Sequence, residues 1–280
     1  MSGMFSTRVI ALMPAAIAIN IVLGYTVQTV LKLPIYLDSI GTILVGVLAG
    51  PIAGALTGIL SNLIWQYLPG IGGGTIGPYA VVAGVIGLLA GVWGYLGVFR
   101  PRPASGGVLY GAAILGAAIV AFLAWRIYSS PVYGGDPSIG GYGPGVYVVI
   151  GAIGVIATLA VAAFIVYRRD AGGAWVAAAG ALTGIIAAVV SAPISAYLFG
   201  GVTGSGTDLI VAALRQGGAD VFNASLGQGL FSDPIDKTIT SFIVFMIISS
   251  LSPRIVARFP LGDRLVQPLP VQPQPAKEPV

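Results

Sequence analysis

Apolar residues in this chain come in long, nearly unbroken runs. They do not recur at the three- and four-residue spacing of a helix with one wet face. Eight runs stand out, at about Val9–Leu31, Ile35–Gly50, Pro51–Leu68, Ile76–Val98, Val108–Tyr128, Val146–Tyr167, Ala174–Phe199 and Ile235–Leu251. A helix needs roughly 20 mostly apolar residues to cross a bilayer. The pattern therefore predicts an all-α fold, a polytopic transmembrane helical bundle of about eight spans. The second run is short for a span, so it is either tilted or begins within the membrane. Gly50-Pro51 breaks it from the third and predicts a tight hairpin. Between the last two runs, about Gly200–Ser232 reads as a loop carrying a short helix, Thr207 to Gln216, as a functional element or a cap over one face. The bundle is expected over residues 1–259. Beyond Phe259, Pro260, Pro268, Pro270, Pro273, Pro275 and Pro279 predict a disordered Pro-rich tail over 260–280.

Composition agrees with a lipid-facing surface. Hydrophobic residues make up 56% of the 280, and charged residues 8%, against about 25% in an ordinary soluble domain. So few charges cannot cover a soluble protein of this length. Charge placement then sets an orientation. With the N-terminus inside, Arg8, Arg100, Arg102, Arg168, Arg169, Arg254, Arg258, Arg264 and Lys277 lie inside, and Lys32, Arg126, Arg215 and Lys237 outside. The positive-inside rule selects that arrangement, and an even span count makes both termini cytoplasmic.

The chain has no Cys and no His, which removes thiol nucleophiles, Ser-His-Asp triads, HExxH sites, and zinc sites with nitrogen or sulfur ligands. No Walker A loop or DDxxD run occurs, and the net charge of +4 is too thinly spread for nucleic acid. No catalytic residue, metal or cofactor is expected. Polar residues near the ends of spans are the remaining candidates. Asp38, Asn62, Trp65, Gln66, Tyr67 and Tyr79 fall on the outer halves of their helices, as do Asp233, Asp236 and Lys237 in the run SDPIDK, with Asp208 in the loop above. Polar groups at membrane depth default to a functional hypothesis. Their shared depth predicts one outward-facing pocket with aromatic walls. Individually they have plainer readings: Asp38 and Asp233 as helix caps, with Pro234 at the first helical position, Asp236 and Lys237 as a mutually neutralising pair, and Trp65, Tyr67 and Tyr79 as interfacial belt residues. Asn20 and Gln28 read as hydrogen-bonding glue between helices.

Small residues recur at four-residue spacing, at Gly46, Gly50, Gly54 and Gly58 and again at Gly180 and Gly184, a pattern that lets helix backbones approach closely in lipid. AGALTGIL at Ala53–Leu60 returns as AGALTGII at Ala179–Ile186, and YLPG at Tyr67–Gly70 as YLFG at Tyr197–Gly200, either as a parallel repeat or as chance among small residues. On the first span, Ala11 and Ala15 offer a face that either packs within the bundle or receives a helix from another protein.

LPIYLDSIGTILVGVLAGPIAGALTGILSNLI (Leu33–Ile64), FGGVTGSGTDL (Phe199–Leu209), SDPIDK (Ser232–Lys237) and Ala11-x-x-x-Ala15 resemble the substrate-specific S component of energy-coupling factor (ECF) transporters. The resemblance covers about 200 residues. It implies a prokaryotic cell-membrane protein that binds a vitamin or similar micronutrient at its outer face and leaves catalysis to others. A loop between the first two helices would act as gate. Ala11 and Ala15 would dock on a transmembrane T component, which works with two cytoplasmic ATPase subunits, and the bundle would topple to release its substrate inside. The family core has six spans, so about 108–167 is expected to be an inserted helix pair. A membrane ligand sensor or scaffold, and a self-sufficient secondary carrier, stay open as alternatives.

Overall fold

The computed structural model describes residues 6–31, 33, 35–71, 74–128 and 144–266. Among these the protein is all-helical, its β-contact a lone bridge between Pro103 and Asp170. The helices are α1 (Thr7–Gly24), α2 (Ile40–Ala49), α3 (Pro51–Tyr67), α4 (Ala80–Tyr95), α5 (Gly106–Tyr128), α6 (Pro144–Arg168), α7 (Gly172–Pro193), α8 (Asp208–Gln216), α9 (Val221–Ser250), and the short α10 (Pro253–Val256) and α11 (Gly262–Leu265). Both α1 and α7 run on into wider π-helical turns, Tyr25–Val30 and Ile194–Leu198. Among the described residues, four helical stretches are long and apolar enough to cross a membrane: Thr7–Val30, Gly77–Tyr95, Gly106–Trp125 and Gly172–Leu198.

Small residues set the packing. Gly50 has φ of +105°, which lets the chain reverse between α2 and α3, and Pro51 opens α3 where its missing N–H costs nothing. Helix α4 lies against this hairpin so closely that a Cβ on Gly91 would come within 2.1 Å of the Pro51 nitrogen, and one on Gly87 within 2.3 Å of the Gly54 backbone. Helices α7 and α9 meet the same way: a Cβ on Gly184 would sit 2.4 Å from the Asp233 carbonyl. The two copies of the AGALTGI run therefore occupy corresponding roles, on α3 against α4 and on α7 against α9. In each, the Thr (Thr57, Thr183) donates to the carbonyl one turn back (Ala53, Ala179).

Two boundaries differ from expectation. The helix expected at about Ile235–Leu251 begins at Val221, so α9 runs 30 residues straight through Asp233 and Pro234. Its cap is Asp220, whose carboxylate accepts from the Asn223 N–H at 2.9 Å; Asp233 sits mid-helix and buried, so the capping reading of it fails. The segment expected to be disordered from Pro260 packs as far as Val266: the Leu261 N–H donates to the Leu48 carbonyl, and Leu265 is buried. Residues 267–280, with Lys277, lie outside the described residues, as does Lys32.

Helix α5 packs on α6, α7 and α9, so the pair expected to be inserted adds on the α7/α9 side, while α1 packs on α2 and α3. Ala11 and Ala15 face outward, uncovered. Asn20, 1% exposed, ties α1 to its neighbours. Its amide donates to Thr42 and Ser61 hydroxyls at 2.8 and 3.0 Å, and its carbonyl accepts from the Gly41 N–H at 2.7 Å. Arginines collect at one end of the bundle, where Arg8 reaches the Arg258 carbonyl, Arg168 that of Ser249 and Arg264 that of Tyr95.

Candidate functional site

At the opposite end lies a cavity of about 330 Å³, walled by the π-turn after α1, the segment 36–39, α3, the turn leading into α4, the far ends of α4 and α7, α8 and the middle of α9. Its making starts with α2, which at ten residues spans about 15 Å. The chain before it enters the bundle without helical hydrogen bonds. Irregular backbone at membrane depth needs internal partners or a polar cavity, and here the partner is Asp236. Its Oδ1 accepts from the N–H groups of Tyr36 and Leu37 at 3.0 and 2.7 Å. Leu37 is held at a φ of +52°, which side-chain-bearing residues seldom adopt.

Lys237 secures the same segment. Its ammonium reaches Asp38 Oδ1 at 3.4 Å, donates to Ser39 Oγ at 2.7 Å, pairs with Asp236 Oδ2 and lies 5.8 Å from the centre of the Tyr36 ring. Asp38 also accepts from the Gln28 amide at 3.1 Å, which joins the end of α1 to the network. Asp236 and Lys237 thus neutralise one another, with Asp38 as a third member. Lys237 and Asp236 are 2% and 0% exposed, a burial that charged groups tolerate only when paired.

Of the nine expected binding residues, Asp38, Asn62, Trp65, Tyr79, Asp208, Asp233 and Lys237 line the cavity. Gln66 and Asp236 stand behind its wall. The Gln66 carbonyl accepts from the Gly77 N–H at 2.7 Å and so positions the turn into α4. Tyr67 points away, 82% exposed, as a belt residue would. Trp65 is instead buried against Ile17 and Ile21, its indole N–H donating to the Ile71 carbonyl at 2.9 Å. The Tyr79 hydroxyl meets that of Ser195, and its ring stacks on Phe199 with centroids 5.9 Å apart. Asp208 opens α8 and accepts from the Thr203 and Gly204 N–H groups at 3.0 and 2.7 Å, closing the loop above the cavity.

Several wall residues escaped the reading of the sequence: Tyr25, Tyr36, Ser191, Ser195 and Gln228. The Gln228 amide donates to the Tyr36 hydroxyl at 2.9 Å and to Ser232 Oγ at 3.1 Å. Gly227 and Gly229 give the surroundings of Gln228 the composition of a loop. A continuous helical period from Val221 was the available signal. Tyr36 lies in the LPIYLD run two residues before Asp38, where neither charge nor spacing singles it out.

Comparison of the chain with protein-family models, with curated proteins and with solved structures returns no match.

Proposed function

We propose that this protein is the membrane-embedded substrate-binding subunit of an ECF-type importer, capturing a vitamin or related micronutrient at the outer face of a prokaryotic cell membrane. The observation that carries this reading is the cavity of about 330 Å³, polar and aromatic, at the end of the bundle away from the arginines. Pockets of this size bury small organic molecules. The positive-inside rule puts the arginine end in the cytoplasm and the cavity outside. Eight spans with both termini inside complete this topology. The resemblance over Leu33–Ile64, Phe199–Leu209 and Ser232–Lys237 supplies the family, and the uncovered Ala11 and Ala15 supply a face for a T component. The subunit binds without transforming its ligand, and ATPase partners drive uptake.

The test is binding to a vitamin panel by the detergent-purified protein, with native mass spectrometry of any ligand it retains. A ligand should bind, and Asp38→Asn, Trp65→Ala and Asp236→Asn should each weaken it. Unchanged affinity in all three would remove the site. Co-purification of a T component and two ATPases supports the importer. Ion-driven uptake by this chain alone in liposomes would make it a secondary carrier instead.

A further inference from the structure

The charges around the cavity narrow what it can hold, given the reading of that cavity as a ligand site. Three carboxylates line it, those of Asp38, Asp208 and Asp233, with Asp236 directly behind. The one basic side chain lining it among the described residues is Lys237, and that ammonium is already shared between Asp38 and Asp236. Asp236 is further engaged by two backbone N–H groups, and Asp208 by those of Thr203 and Gly204.

Asp233 differs from the others. It is 6% exposed and forms none of the ion pairs found among the described residues, and the nearby Ser191 hydroxyl donates to the Ala188 carbonyl at 3.1 Å. Tyr25, Tyr36, Trp65 and Tyr79 share the wall with it, and aromatic faces attract cations. An anionic ligand would bring a further negative charge among these carboxylates and find no uncommitted base among the described residues of the wall to receive it.

We propose that the cavity selects a flat organic cation, its positive group set against the Asp233 carboxylate and its ring among the aromatic side chains. Isothermal titration of the full chain in detergent with tryptamine, indole-3-acetamide and indole-3-acetate varies the charge on one ring system. Tryptamine should bind about tenfold or more tighter than the amide, and the acetate weakest. Asp233→Asn should erase most of the tryptamine advantage and leave the amide within about twofold, since one charge is removed at nearly constant shape. The wild-type series decides the charge preference even where that variant folds poorly. An amide or acetate that binds as tightly as tryptamine overturns the cation and leaves the cavity a ligand site. No binding by any of the three overturns the flat organic cation and leaves the ligand site to be decided by the vitamin panel. Undiminished tryptamine binding by a folded Asp233→Asn protein overturns the assignment to Asp233.

Discussion

Lys237 shows how much one buried side chain can organise. Asp38 and Asp236 converge on it from the 36–39 segment and from its own helix, and Ser39 accepts a further bond. Lys237→Met leaves the buried Asp236 and the partly exposed Asp38 without their counter-charge, a change worth about 3–5 kcal/mol where the pair is buried, as Lys237 and Asp236 are. A large fall in thermal midpoint of the purified protein is expected, with weaker ligand binding. Asp236→Asn should cost less, because its amide oxygen can still accept from Tyr36 and Leu37. A Lys237→Met protein as stable as the parent would show that the network does not hold the segment. The members of this network were readable from sequence because charges are so rare in the spans that each demands a reason. Their partners were not. Asp236 and Gln66 act on backbone groups, and Asp236 does so across 200 residues of chain. No local spacing announces a carboxylate that serves a distant main chain.

Glycine contacts decide how the helices meet, and they make opposite predictions at different places. At Gly184 a Cβ would press into the Asp233 carbonyl, a backbone atom that cannot move aside. Gly184→Val should therefore force α7 from α9, open the cavity wall and lower the yield of monodisperse protein. At Gly111 on α5 nothing lies within 4 Å of an added Cβ, so Gly111→Ala should be neutral or stabilising by up to about 1 kcal/mol, as helix propensity favours Ala. Size-exclusion profiles and melting curves of the pair check both. The start of α9 is sensitive to acid. Hydrogen bonds from Asn223 hold the exposed Asp220 carboxyl below its ordinary value of 3.8, so its contribution is complete above that value and disappears as pH falls through the lower folded-state value. Hydrogen exchange at the first turn of α9 should rise in Asp220→Ala at neutral pH, and the gap to the parent should close in strong acid. Element identity was legible wherever apolar runs were unbroken. It failed at α9, where Gly, Asp and Pro carry loop propensity but the Asp220 cap and burial against α7 and α8 override it.

For the whole molecule, topology is the claim on which the direction of ligand entry depends, and the chain is well suited to testing it. It contains no Cys, so a single introduced thiol is an unambiguous reporter. Arg215 and Arg254 are both exposed, the first on α8 at the cavity end and the second on α10 at the arginine end. In intact cells, Arg215→Cys should react with a membrane-impermeant maleimide at once. Arg254→Cys should react only after the membrane is opened. The reverse pattern would place the cavity in the cytoplasm and turn an importer's binding site into the mouth of something else. Helices α5 and α6 sit on the α7/α9 side, whereas α1, packed on α2 and α3, leaves Ala11 and Ala15 exposed to a partner. Ala11→Leu/Ala15→Leu should then abolish energised uptake while the purified subunit still binds its ligand. Loss of binding together with uptake would mean that this face supports the fold and not a docked helix.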